Sequence, residues 1–129
     1  MFTLYLAQSL DGFIAGPNDE IPWSAKEWEL FQAEVNKHNT LIVGRRTFDI
    51  MVKGNTFKYI KTPNILVLTT KNLASYPQLK TFNISKLANI RELNPSTHYL
   101  IAGGAKTAEY FLEKGLVDQL VLDIEFLFL

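Results

Sequence analysis

Gly44-Arg45-Arg46-Thr47 places two permanent cations and a hydroxyl directly after the apolar run Leu41-Ile42-Val43. Guanidinium groups are bidentate forks for phosphate oxygens, and a helix opening at such a point adds free N–H groups and a partial positive charge. Leu68-Thr69-Thr70-Lys71 repeats the pattern, with two hydroxyls and a cation at the end of an apolar run. Ile101-Ala102-Gly103-Gly104-Ala105 ends a third run, and its glycines let backbone approach a ligand closely. Taken singly, each stretch reads equally well as a solvated helix start or a polar turn. Together they put phosphate-friendly chemistry at three strand ends of one sheet, which suits an extended anionic ligand such as a dinucleotide. Neither a GxGxxG fingerprint nor a phosphate loop ending in GKS or GKT is present, so those nucleotide folds are not indicated.

A second constellation follows Ile21-Pro22-Trp23-Ser24, where Glu27, Trp28, Glu29 and Phe31 are close in sequence. Aromatic rings beside carboxylates can hold a flat heterocycle. The same residues also fit a helix that buries Trp28 and Phe31 and leaves its glutamates in water. His38 and His98 are isolated and take no role. No metal-ligand spacing and no Ser/His/Asp set is present. The absence of cysteine excludes disulfides, thiolate nucleophiles and cysteine metal sites.

The elements that must position these residues alternate between strand and helix. Residues 2–7 read as a strand ending at the turn signal Asp11-Gly12, and residues 12–23 carry loop chemistry. Ser24 with Glu27 forms a capping box for a helix over 25–37, with Trp28, Phe31 and Val35 on its apolar stripe. A strand at 40–43 and a helix at 47–52 follow, stopped by Lys53-Gly54-Asn55, and then a strand at 65–68. Residues 80–82 read as a short strand and 84–90 as a short helix. A strand at 99–102, a helix at 106–114 capped by Gly115, and a strand from 120 to 129 complete the chain. This alternation predicts an α/β/α three-layer domain with a mostly parallel central sheet.

A chain of 129 residues is enough for one domain with one core. Its 13 basic and 13 acidic side chains cancel without forming blocks, which argues against nucleic acid or an anionic membrane as partner. No run reaches the roughly 18 apolar residues of a membrane span. The start, MFTLYLAQSLDGFIAG, lacks the basic n-region and long h-region of a signal peptide, so the expected location is the cytoplasm.

Taken in order, Ser9-Leu10-Asp11-Gly12, Pro22-Trp23, Gly44-Arg45-Arg46-Thr47-Phe48 and Gly103-Gly104 resemble the dihydrofolate reductase fold. SLDGFIAG and Gly115-Leu116-Val117-Asp118-Gln119-Leu120 resemble more closely the C-terminal reductase domain of the bifunctional riboflavin-biosynthesis protein. The resemblance covers residues 1–129 as a single domain and implies NADPH-dependent hydride transfer to a small heterocycle, either dihydrofolate-like or a 5-amino-6-(5-phosphoribosylamino)uracil-type pyrimidine. It implies cofactor contacts at Ala7, Gly44, Arg45, Arg46, Thr47, Thr69, Thr70, Gly103, Gly104, Ala105, Lys106 and Thr107, with the arginines at the adenosine end. Substrate contacts fall on Tyr5, Trp23, Trp28 and Phe31. Dihydrofolate reductases carry an acid on the inward face of the first helix, and the spacing from Pro22-Trp23 to Gly44-Arg45 puts Trp28 there. Glu27 and Glu29 are the flanking candidates, each turned about 100° away. A catalytically silent nucleotide-binding or dimerisation module of the same fold is the rival reading.

Relatives of this kind continue past the strand LVLDIEFLFL into a further turn and strand. Leu120, Leu122, Ile124, Phe126 and Phe128 alternate with Val121, Asp123, Glu125, Leu127 and Leu129. The first part reads as half-exposed, with its charged face in water, and both faces are apolar from Phe126 onward. The expectation is a homodimer that covers residues 126–129.

Overall fold

The stretch Thr40-Leu41-Ile42-Val43-Gly44 is buried along its whole length, as a strand covered on both faces must be. It is the second strand of the computed structural model, which describes residues 1–12, 24–94 and 96–126. The elements are β1 (Phe2–Ser9), α1 (Ala25–Val35), β2 (Thr40–Gly44), α2 (Arg45–Lys53), β3 (Asn64–Leu68), β4 (Asn83–Leu87), β5 (Tyr99–Ala102), α3 (Ala105–Glu113) and β6 (Gln119–Glu125). The six strands form one sheet in the order β4-β3-β2-β5-β1-β6, and every neighbouring pair is parallel. The fold is α/β, as the alternation predicts.

Alternation along the strands divides the core in two. Tyr5, Leu41, Val43, Ile65, Val67 and Leu100 meet Phe31 and Val35 of α1 and Phe48 and Met51 of α2 on one face. Leu4, Ile42, Tyr99 and Ile101 meet Ala108 and Phe111 of α3 on the other. No helix among the described residues is long and apolar enough to cross a membrane.

Three sequence expectations change here. Residues 84–90 are not helical: Asn83–Leu87 is an edge strand, followed by a 3-10 turn at Ile90–Glu92. Ile84 and Leu87 are three apart, which mimics helical spacing, but in a strand that separation sends them to opposite faces. Ile84 packs on the α1–α2 core and Leu87 on the α3 core. Residues 80–82 form a turn after a 3-10 segment at Pro77–Leu79, not a strand.

The last strand is reversed relative to expectation. Leu120, Leu122 and Ile124 are the exposed row, at 57%, 42% and 44%, while Val121, Asp123 and Glu125 are half-buried on the α1 side. The register with β1 fixes this, because Tyr5 pairs with Val121 and Ala7 with Asp123. Phe126 is 87% exposed, and residues 127–129 of the expected dimer contact lie outside the described residues.

Candidate active site

Sheet order brings the three phosphate-friendly strand ends side by side. β3, β2 and β5 are neighbours, so Leu68, Gly44 and Ala102 end along one lip, and β1 and β6 extend it. Strands about 4.8 Å apart make this five-strand lip roughly 20 Å long, the scale of an extended dinucleotide. α2 leaves β2 toward one face and α3 leaves β5 toward the other, so the chain divides between these two strands. Ligands of open α/β sheets sit at such a crevice.

Both helices start on a glycine that makes no side-chain capping bond, Gly44 for α2 and Gly104 for α3. A glycine cap offers no side chain to the first-turn N–H groups. Arg45 lies in the first turn of α2, where Asp49 accepts from its Nε at 3.3 Å and the Asn72 carbonyl from its Nη1 at 3.3 Å. These bonds hold the guanidinium between α2 and the segment that follows β3. Arg46 is exposed on the same turn, and Thr47 is half-buried close to Gly104. Thr69 is half-buried and accepts from the Lys71 N–H, whereas Thr70 is exposed. Ala105 and Lys106 are exposed at the start of α3.

Thr107 is 7% exposed, and a Cβ built on Gly44 or Gly103 would lie 2.4 Å from its Oγ1 or 2.8 Å from its Cβ respectively. Thr107 is the wedge between the two glycine turns, and its side chain is buried there.

At the other end of the lip stands α1. Its buried stripe runs through Glu27, Phe31 and Val35, so Glu27 and not Trp28 takes the inward place. Positions 27 and 28 both continue the spacing of Phe31 and Val35, so periodicity alone does not choose between them. Glu27 is 3% exposed, and the Tyr5 hydroxyl donates to its Oε1 at 2.7 Å. Its Oε2 is buried and has no hydrogen-bond partner among the described residues. Glu29 is exposed and forms a 4.0 Å ion pair with Lys26, which removes it as a candidate. Trp28 is half-buried, edge-on to Phe31 at 6.1 Å, and Phe31 in turn tilts against Tyr5 at 5.5 Å. Trp23 lies outside the described residues.

The capping box is only half formed. Ser24 Oγ accepts from the Glu27 N–H at 3.1 Å, but the Glu27 carboxyl turns inward to Tyr5. Glu125 of β6 takes the vacated place, accepting from Ser24 N at 3.0 Å and Ser24 Oγ at 2.7 Å. Burial first, and then the negative charges of Asp123, Glu34 and Glu125, push the Tyr5 phenol well above the ordinary tyrosine value. Tyr5 therefore remains a donor to Glu27 at any ordinary pH. The sequence reading missed Asp123 and Glu125. Their alternation with Leu122 and Ile124 is visible in the sequence, but which row faces the site depends on a long-range register.

The RibD C-terminal domain family matches residues 1–128 of this chain. Dihydrofolate reductase type 1 of Escherichia coli is 30% identical over 118 residues, which cover 91% of this chain and 68% of that protein. A protein assigned to riboflavin biosynthesis in Shewanella sp. PV-4 superposes with a TM-score of 0.74 at 22% identity, covering 98% of this chain and 77% of that one. Dihydrofolate reductase from Enterococcus faecalis, solved with NADP(H) and RAB-propyl, superposes with a TM-score of 0.69 at 19% identity, over 99% and 72% of the two chains. These two structures share the fold. The chain belongs to the RibD C-terminal domain family, a reductase-type family built on the dihydrofolate-reductase-like fold.

Proposed function

We propose that the protein is a cytoplasmic, NADPH-dependent oxidoreductase that passes a hydride to a pteridine- or pyrimidine-like heterocycle. The observation that carries this reading is the Glu27 carboxyl, buried, held by Tyr5 on one oxygen and, among the described residues, unpartnered on the other. An unpaired buried carboxyl oxygen is costly unless a ligand supplies its partner. A carboxylic acid beside the ring is a group that can act as proton donor.

The residues of the lip fit the cofactor. The uncapped first turns of α2 and α3 would hold its phosphates, with Arg45 and Arg46 adding charge and Thr47, Thr69 and Thr70 adding hydroxyls. When bound, NADPH supplies the hydride. The protein's own part is orientation and proton delivery. Gly103, Gly104 and Ala7 present little side chain, so a flat ring can lie close to the strand ends. Trp28 and Phe31 form an aromatic wall beside Glu27. The Tyr5 hydroxyl fixes the carboxyl rotamer, and Glu27 Oε2 accepts from a ring N–H or delivers its proton to a ring nitrogen. Following NADPH absorbance with a panel of reduced and oxidised pterins and pyrimidines tests the reading. Turnover of at least one is expected, and a chain that binds NADPH but oxidises it with none of them is a binding module instead.

The arginines give a sharper test of the cofactor. Arg45→Ala is expected to weaken NADPH by about 1.5–3 kcal/mol, the worth of a charge-assisted bond. NADH, which lacks the 2′-phosphate, should lose much less. Equal losses for the two cofactors would reject the 2′-phosphate assignment, and no loss for either would reject the site.

We place a second copy of the chain against β6. This strand ends the sheet, and its outward row of Leu120, Leu122 and Ile124 continues to Phe126, all exposed. At about 25 cal/mol per Å² of apolar surface, covering such a row contributes several kcal/mol. Bare apolar edges also invite uncontrolled pairing. Sedimentation analysis should show a dimer that Leu122→Glu converts to monomer. A wild-type monomer at every concentration tested would reject this assembly.

A further inference from the structure

Glu125 is the last residue of β6, pairs with Ser9 of β1, and is half-buried on the α1 side. Its Oε1 accepts from both Ser24 N at 3.0 Å and Ser24 Oγ at 2.7 Å, across 101 residues of sequence. A serine hydroxyl has one proton and two lone pairs. The proton goes to Glu125, and a lone pair accepts from the Glu27 N–H at 3.1 Å. The Glu27 carboxyl continues the chain by accepting from Tyr5 at 2.7 Å. Tyr5 in turn pairs with Val121 across β1 and β6, so the run of contacts from Glu125 returns to its own strand. Ser24 is the N-cap of α1, and Glu27 stands three places on. In a complete capping box that glutamate reaches back and accepts from the N-cap N–H. Here the same N–H is given to Glu125. Two acids therefore compete for one donor, and the one from β6 holds it.

We propose that Glu125 is a positioning residue for the reaction: by holding the Ser24 N–H it shuts Glu27 out of its own capping place and keeps that carboxyl turned inward on Tyr5. The inference rests on the reading of Glu27 as proton donor and adds the residue that keeps it in place. Glu27 has two places to go. Inward, it gains the Tyr5 hydroxyl but is buried, with Oε2 unpartnered among the described residues. Outward, it would gain the Ser24 N–H, the partial positive charge of the helix start, and water. Burial of a carboxylate is costly, so the outward place would draw Glu27 away if it were open. Glu125 fills that place, and its negative charge there repels a second carboxylate. Tyr5 attracts Glu27 inward, and Glu125 bars the way out.

Glu125→Ala opens the outward place. One capping interaction shifts a population by roughly fivefold, so single-turnover hydride transfer is expected to fall by about that factor. Glu125→Gln keeps a carbonyl oxygen for Ser24 and should retain most of the rate. Ser24→Pro separates competition from simple tethering. Ser24 has φ −65°, the angle proline adopts, so this change removes the contested N–H at a compatible backbone angle. It also breaks both bonds to Glu125. A plain tether therefore loses rate in Ser24→Pro as in Glu125→Ala. Competition loses it in Glu125→Ala alone and recovers it in the double variant. A crystal structure of Glu125→Ala reads the rotamer directly, without substrate and whether or not Ser24→Pro folds. The Glu27 carboxyl is expected within hydrogen-bond distance of Ser24 N. A carboxyl still on Tyr5 in that structure, or a Ser24→Pro protein as slow as Glu125→Ala, overturns the positioning role and leaves the reductase reading standing. A carboxyl that moves to Ser24 while the rate stays at the wild-type level overturns Glu27 as proton donor and this inference with it. A wild type that reduces no heterocycle overturns the reading on which both rest.

Discussion

Glu27→Gln is expected to lower hydride transfer by roughly 10²- to 10⁴-fold, the usual contribution of a positioned general acid, with little change in NADPH affinity. Glutamine keeps the shape of the side chain, and its carbonyl oxygen can still accept from Tyr5. What it loses is the titratable oxygen, which becomes an NH₂ with no proton to deliver and no lone pair for a ring N–H. The expected effect on stability has the opposite sign. Glu27 is buried, with Oε2 unpartnered among the described residues, so its charged form pays desolvation that a neutral amide does not. The variant should therefore melt at the same temperature as the wild type or higher, whereas loss of a purely structural residue lowers both activity and melting temperature. Single-turnover measurement is the right readout, because slow product release can hide a change in chemistry. Tyr5→Phe is the companion variant. It leaves the carboxyl but frees its rotamer, so a smaller loss, on the order of tenfold, is expected from the hydrogen bond removed. Full single-turnover activity in Glu27→Gln would remove the carboxyl from the mechanism.

The features legible in the sequence were those whose cause is local. Gly44-Arg45-Arg46-Thr47 and Gly103-Gly104 mark strand-to-helix turns because glycine and arginine act where they stand, and the structure sets both on one lip. β2 and β5 read as buried strands because they are short apolar runs closed by glycine. The misreadings share a different origin. Whether Glu27 or Trp28 faces inward is a rotation of α1 of about 100°, and both fit the stripe of Phe31 and Val35. The partner that decides it, Tyr5, is 22 residues away. Likewise LVLDIE alternates in either register, and only its pairing with β1 shows that the acids rather than the leucines face α1. Ile84 and Leu87 misled because a strand serving two cores reproduces a helical spacing. The crowding of Thr107 against two glycines was not visible in the sequence, because it comes from neighbouring strands, not neighbouring residues.

That crowding leads to a prediction about how the cofactor lip is held. Thr107, in the first turn of α3, fills the space between the ends of β2 and β5, and both glycines are needed for it to fit. A methyl on Gly44 would meet Thr107 Oγ1 at 2.4 Å but its Cβ only at 3.7 Å. A methyl on Gly103 would meet the Thr107 Cβ at 2.8 Å, its Cγ2 at 3.1 Å and the Ala108 backbone N at 3.4 Å. The first clash is with the end of a short side chain, and the second is with the root of that side chain and the helix itself. Each substitution overpacks a closed site and is expected to cost about 1–3 kcal/mol, with Gly103→Ala at the upper end. Melting temperature should fall by roughly 3–6 °C per kcal/mol in a chain of this size. Adding Thr107→Ala separates the two. It removes Oγ1 and Cγ2 but keeps Cβ, so it should restore most of the stability lost in Gly44→Ala and little of that lost in Gly103→Ala. The first pair should thus be strongly non-additive and the second nearly additive. NADPH affinity should follow the same pattern, since moving α3 away from β5 moves one of the two uncapped helix starts. Urea unfolding of the six proteins, the Thr107→Ala single variant and the wild type included, with an NADPH titration of each, decides the matter. Equal rescue of both glycine variants by Thr107→Ala, or a Gly103→Ala protein as stable as the wild type, would show that α3 is free to shift and that Thr107 is not the wedge that fixes it.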